Sequence, residues 1–311
     1  MTSFETTQSS AASGSRLLVD RQALWAALDE ALEAEVASAT DDLRWLAVQT
    51  VASAPQRRAL IGSLSLPQGS RVLDVGCGFG AATIELAGQG DVVTVGVDSD
   101  GDALEAARRI SSSLAKRTTS ASLRTEFVSG DAYALPFPYA SFDFVFSRFV
   151  FQHLADPLRA AGEVARVLAS GGTACVVDVD DGLSISDPAP SEAFATLAGA
   201  LRAAQTARGG DRFIGRRLAG LLDRSGLVPG PLIVLPQAAY HRPDPAGAER
   251  SLMLERLRFA RSGVVSGGHL SAGEFDRAFA DFAGEDQGPS CEIEAHLAVF
   301  ASKPQDAPAG P

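Results

Sequence analysis

The chain has 311 residues, 46% apolar and 21% charged, the balance of an ordinary water-soluble globular protein and enough for one large domain or two small ones. Lys and Arg number 27 against 38 Asp and Glu, a formal charge of −11, which disfavours a nucleic-acid partner because polyanion binding relies on a basic face. Apolar runs fall short of the roughly 18 residues a membrane span needs, and three scattered cysteines (Cys77, Cys175, Cys291) without a Cys/His cluster read as reduced thiols of a cytoplasmic protein with no metal site.

In chain order, residues 1–16 are Ser/Thr-rich, lack the basic and apolar regions of a secretory signal, and are expected to be a disordered tail. Residues 17–66 form a helical cap, with Leu24, Leu28, Leu32 and Val36 at four-residue spacing. A core over 67–182 then alternates. Strands are expected over 71–75, 91–97, 124–129, 142–147 and 173–179, and helices over 102–115 and 156–168. This order demands a parallel sheet covered on both faces.

From 183 to 302 the pattern changes. Residues 181–190 are turn-rich, and helices are expected over 192–207, 214–225, 245–261 and 271–282, the last with a Ser271/Glu274 capping box. Residues 262–268 read as a glycine-rich loop, and strands over 232–239 and 291–301 complete the sheet. Residues 303–311 are a second tail. The fold class is therefore α/β: a doubly wound, mostly parallel seven-stranded sheet with helices on both faces and added helical caps.

The first strand ends Val72-Leu73-Asp74-Val75 and turns through Gly76-Cys77-Gly78-Phe79-Gly80 into the helix-forming run 81–87. Glycines allow a tight turn and close ligand approach, and the turn opens on a helix N-terminus, which attracts a carboxylate or phosphate. The spacing differs from the dinucleotide fingerprint G-x-G-x-x-G. In a doubly wound sheet, ligands sit beyond the C-terminal strand ends where strand order reverses. The second strand ends at Asp98, 18 residues past Gly80, close to the offset of about 20 at which an acid meets a ribose diol. Asp98, Ser99 and Asp100 are also good helix N-caps, and Asp131, after the third strand, is also a turn residue.

The D-x-G-x-G-x-G turn, with Asp98, Asp131-Ala132, the segment Ala134-Leu135-Pro136-Phe137-Pro138 and the stretch from 71 to 172, resembles the class I (Rossmann-like) S-adenosylmethionine-dependent methyltransferases. Weaker likeness through 211–227 points to the ubiquinone-biosynthesis-like branch. The resemblance implies S-adenosyl-L-methionine as cofactor, its methionine end at Asp74, Gly76, Cys77, Gly78 and Gly80, with Asp98 and Ser99 at the ribose. It puts Asp131 and the Ala132 N–H at adenine, and Ser147 at the end of the fourth strand in the same site.

The implied reaction is methyl transfer to an O, N or C nucleophile of a small molecule in secondary or cofactor metabolism. His153 is the candidate base, with a structural histidine or helix cap as its alternative. Arg148 is a candidate partner for a substrate or cofactor carboxylate, or for a structural acid. Asp178 and Asp180 end the fifth strand and face the same crevice. His241, His269 and His296 have no convincing partners, and Trp25 and Trp45 fit helix cores. No Asn/Asp-Pro-Pro-Tyr/Phe follows the fourth strand, as it usually does in methyltransferases of base amines. The caps, 17–64, 183–212 and 240–288, are apolar and Arg-rich and should define a mid-sized, partly apolar acceptor, with an acidic one among the options. Two rivals remain at this stage: a carboxyl methyltransferase acting on a peptide or protein, and a non-methylating protein that keeps the cofactor fold.

Overall fold

The computed structural model describes residues 20–38, 41–117, 123–241, 248–285 and 288–305. The N-terminal tail lies outside these residues, as do the starts of the helices expected from 17 and from 245.

Five parallel strands form the centre: β1 (Arg71–Val75), β2 (Val93–Asp98), β3 (Arg124–Ser129), β4 (Phe142–Arg148) and β5 (Leu168–Val179). Three later strands, β6 (Ile185–Asp187), β7 (Val228–His241) and β8 (Ser290–Ser302), add antiparallel pairing. The order is β3-β2-β1-β4-β5-β8-β6, with β7 also on β8. The sheet thus has eight strands rather than seven. β6 is only three residues long and lies in the turn-rich stretch, too short to show an alternating pattern.

Strand order reverses between β1 and β4. The chain runs outward through β2 and β3, returns to β4 on the other side of β1, and leaves a crevice at their C-terminal ends. Helix α4 (Ala81–Ala87) follows β1, and every residue of it is buried, including Thr83 and Glu85. Helix α5 (Gly101–Arg117) buries Ala103, Leu104, Ala107, Ile110 and Leu114 on one stripe. Helix α6 (Pro157–Val167) starts at Asp156, whose side chain accepts from the Arg159 N–H.

Three N-terminal helices, α1 (Arg21–Ser38), α2 (Asp41–Ala52) and α3 (Ala54–Ser63), cover the α4/α5 face, where Leu24, Leu28 and Leu32 pack with Phe79, Ile84, Leu104 and Ile110. Helices α7 (Glu192–Ala207), α9 (Ala248–Ser266) and α10 (Ala272–Gly284) form a second cap with its own core of Leu197, Leu257, Val264 and Phe275. The α10 capping box is present, with Glu274 accepting from the Ser271 N–H. The expected loop over 262–268 is helical to Ser266, because burial of Val264 outweighs the roughly 1 kcal/mol cost of Gly263. The helix expected over 214–225 is a 3₁₀ turn (Ile214–Arg217) running into α8 (Leu218–Arg224). The expected C-terminal tail begins with an anchored residue: the Lys303 ammonium donates to the Ala165 and Leu168 carbonyls. No helix among the described residues is long and apolar enough to cross a membrane.

Candidate active site

Two cavities open where the caps meet the C-terminal strand ends. The larger, about 370 Å³, lies at the β1/β4 reversal and is lined by the glycine turn, Asp98 to Asp100, Gly130 to Ala132, Arg148 to Val150 and His153. From the N-terminal cap it also takes Leu46, Gln49, Thr50, Ser53 and Arg57.

The turn is shaped by the strand beside it. Gly76 has a φ of 74°, and a Cβ there would sit 2.2 Å from a Val150 methyl. Gly80 has a φ of 73°, and a Cβ there would strike the Phe127 ring at 2.5 Å. Both positions combine a left-handed backbone with no room for a side chain. Gly76 and Cys77 donate to the Val97 carbonyl and Gly80 to Cys77. The Gly78 N–H donates to Asp98 Oδ2 at 2.7 Å. The turn therefore does not offer these four N–H groups to an anion, contrary to the expectation from its sequence. Its amides hold Asp98 and the β2 end in place instead.

Asp98 also accepts from the Asp100 N–H through Oδ1 at 3.0 Å. Each carboxylate oxygen accepts one backbone bond and keeps a second lone pair for hydroxyl donors. Asp131 lies exposed at the rim, where its Oδ1 accepts from the Tyr133 N–H. Asp74 is buried beneath the turn and accepts from Thr83 Oγ1 at 2.6 Å. Burial, with Asp98 nearby, pushes its carboxyl up to about 7. Ser147 is wholly buried and donates to the Val75 carbonyl at 3.1 Å, which makes it a strap between β4 and β1 rather than part of the cavity wall.

Arg148 is the cationic end of the cavity. Its Nη1 donates to Ser53 Oγ at 3.0 Å and its guanidinium lies 3.8 Å from the Phe149 ring centre, while Nη2 is buried without a partner among the described residues. Burial and the nearby Arg57 lower its pKa to about 9, which marks a cation short of an anion. Glu85 is not available to it. That carboxylate has no exposure and accepts from Arg57 at 2.7 and 3.0 Å and from Arg58 at 2.8 Å.

His153 faces the cavity. Burial and the field of Arg212, Arg208 and Arg256 lower its pKa to about 4, an effect that solvent at its exposed edge moderates. It is neutral at pH 7 and able to accept a proton. Asp178 accepts from the Gln152 and Val179 N–H groups, and Asp180 pairs with Arg216, so both acids at the β5 end are engaged within the protein.

The second cavity, about 170 Å³, lies at the β5 and β8 ends under α7 and α9. His296, left without a role by the sequence, lines it and meets Phe149 edge-on. Sequence reasoning also missed Ser53, Arg57, Glu85 and Arg256. Glu85 carried a legible signal as a lone acid in an otherwise uncharged helix.

Residues 73–176 match the family described as methyltransferase domain. With the sheet order and the turn, the match shows that the chain carries a class I, Rossmann-like S-adenosylmethionine-dependent methyltransferase domain; S-adenosyl-L-methionine is the cofactor of that class. More particularly, the chain is 35% identical over 138 residues to the 27-O-demethylrifamycin SV methyltransferase of Amycolatopsis mediterranei, covering 44% of this chain and 47% of that one. The solved YcgJ protein of Bacillus subtilis shares the fold, with a TM-score of 0.52, 17% identity, and coverage of 81% of this chain and 100% of that one. The [4+2]-cyclase SpnF does so too, at a TM-score of 0.51 and 18% identity, over 82% of this chain and 83% of that one. The chain spans between 40% and 60% of the length of the first three curated relatives it matches.

Proposed function

We propose that this chain transfers the methyl group of S-adenosyl-L-methionine to an oxygen nucleophile of a small molecule. The observation that carries this reading is one cavity lined by Asp98, by Arg148 with an Nη2 that has no partner among the described residues, and by a glycine turn whose Gly76 and Gly80 leave no room for a Cβ. That donor set fits the cofactor. Asp98 would accept from the ribose hydroxyls, Asp131 and the Ala132 N–H would face the base at the rim, and Arg148 would take the methionine carboxylate.

The bound cofactor supplies an electrophilic sulfonium methyl. The protein supplies position: holding a nucleophile in line at near-attack distance accounts for about 7–11 kcal/mol of such a barrier. Leu46 of the N-terminal cap and Val150, just past β4, pack against the turn. His153, neutral at pH 7, would take the proton of an acceptor hydroxyl. An anionic group placed near Arg212 and Arg256 would cancel part of their field and make His153 a stronger base. The likeness to a relative named for an O-demethyl substrate supports oxygen as the acceptor atom. The modest size of the second cavity favours a small acceptor over a peptide, and the likeness to a cyclase is one of fold alone.

The test is calorimetric titration with S-adenosylmethionine and with NAD, followed by a screen of hydroxylated acceptors for S-adenosylhomocysteine release. Binding of the first ligand only, and release with some acceptor, is expected. Binding of NAD instead would overturn the reading.

A further inference from the structure

The second cavity holds charge in an unusual balance. Arg202 and Arg212 both pair with Asp181, at 3.1 and 2.8 Å. Arg212 also donates to Gln152 Oε1 at 2.8 Å. Asp180 is balanced by Arg216. Arg256, from α9, lines the same cavity yet has no carboxylate at ion-pair distance among the described residues; its guanidinium sits 5.5 Å from the Trp45 ring centre of α2. With Asp180 set against Arg216, three guanidiniums among the described lining residues face two carboxylates, Asp181 and Glu294, which leaves one positive charge. Ser184, Gln205 and His296 also line it, and Leu183, Phe194, Ala198, Leu201 and Met253 supply an apolar side. At about 170 Å³ the space resembles the cavity of about 150 Å³ that accepts a benzene ring.

The two cavities are neighbours. Phe149 lines the first and His296 the second, and their rings stand edge-on with centroids 4.7 Å apart. A molecule held in the second cavity would lie across that pair of rings from the cofactor site.

We propose that the second cavity binds the carboxylate-bearing end of the methyl acceptor, with Arg256 as its counter-ion and Phe149 and His296 as the wall towards the cofactor. The proposal rests on the methyl-transfer reading for the word acceptor, but the anion site stands on its own geometry. The single net charge selects a monoanion over a phosphate dianion, and the apolar side of the wall takes a ring-sized or short-chain body. Arg256 is thus a specificity-determining residue, since a neutral analogue would leave its charge uncompensated.

The test titrates benzoate, 4-hydroxybenzoate, cinnamate and octanoate against the full chain, with and without S-adenosylhomocysteine. Benzamide and phenyl phosphate are the controls. At least one carboxylate binds the native protein, benzamide and phenyl phosphate bind more weakly, and Arg256→Met loses about tenfold or more of that carboxylate's affinity. Arg256→Lys recovers part of it, and both variants keep the native melting temperature and nucleoside affinity. The proposal is overturned if no carboxylate binds, if benzamide or phenyl phosphate binds as well, or if Arg256→Met binds the carboxylate unchanged. The nucleoside titration is a separate readout, so failure of the cofactor reading and failure of the anion site are distinct results.

Discussion

Phe149 stands edge-on to His296, 4.7 Å between ring centres and 72° between planes, with each ring lining a different cavity. To hold that position Phe149 takes a φ of 62°, a left-handed backbone that costs a non-glycine residue roughly 1–2 kcal/mol. Its N–H bonds to the Val177 carbonyl at 2.9 Å, and the Arg148 guanidinium lies over its ring. Strain at the end of a central strand, beside the candidate site, is the pattern expected where packing forces a side chain into a functional wall.

The strain gives a comparison of two truncations. Phe149→Ala loses the ring and keeps the backbone penalty; Phe149→Gly loses the ring and relieves it. Urea unfolding should find the glycine variant the more stable by about 1 kcal/mol, the reverse of the usual order. An alanine variant equal to or more stable than the glycine one contradicts the strained account.

Glu85 sits without exposure between two arginines. Glu85→Gln leaves Arg57 buried without a counter-charge and should cost about 3–5 kcal/mol in denaturant unfolding. A change under 1 kcal/mol would show that Arg57 finds another partner or moves to solvent.

Much of the fold could be read from the chain. Parallel strands buried on both faces read as apolar runs, and the caps at Asp156, Ser191 and Ser271 announce α6, α7 and α10. The glycine turn and Asp98 were legible for the same reason, since local backbone chemistry dictates both. What stayed hidden depends on contacts between distant segments. Ser53 meets Arg148 across 95 residues, Arg256 joins the Asp181 cluster only through the cap, and His296 gains a role only because β8 pairs antiparallel with β5. Ser147 entered the site by resemblance alone, and its bond to the Val75 carbonyl depends on the β1/β4 pairing, which the sequence does not display.

Arg148 is assigned to a carboxylate, and two nucleosides separate that role from general damage. Arg148→Met should weaken S-adenosylhomocysteine by about tenfold or more, as loss of a charge-assisted pair does. It should leave 5′-methylthioadenosine, which lacks the carboxylate, within about twofold. Equal losses for both would mean that Arg148 only shapes the cavity.

His296 has its pKa lowered to about 4, first by burial and then by Arg148 and Arg212. The unfolded chain takes up this proton near 6.5 while the folded one stays neutral, so this site's stability contribution is whole above that pH and is lost as pH falls towards 4. Asp74 and Asp178, both raised to about 7, act with the opposite sign over an overlapping range, so wild-type stability alone hides the effect. Compared with wild type, His296→Gln should gain roughly 1–2 kcal/mol between pH 7 and pH 5. A pH-independent difference would place the histidine in solvent.

The central claim is that Asp98, held by the Gly78 N–H, grips the sugar of S-adenosylmethionine. Asp98→Asn keeps an oxygen for the Gly78 N–H, gives up the exposed Asp100 N–H bond and replaces a hydroxyl acceptor by a donor. Isothermal titration of S-adenosylmethionine into both proteins, with melting temperatures in parallel, should show an affinity loss of about tenfold at an unchanged fold. Equal affinity for the two proteins would contradict the account.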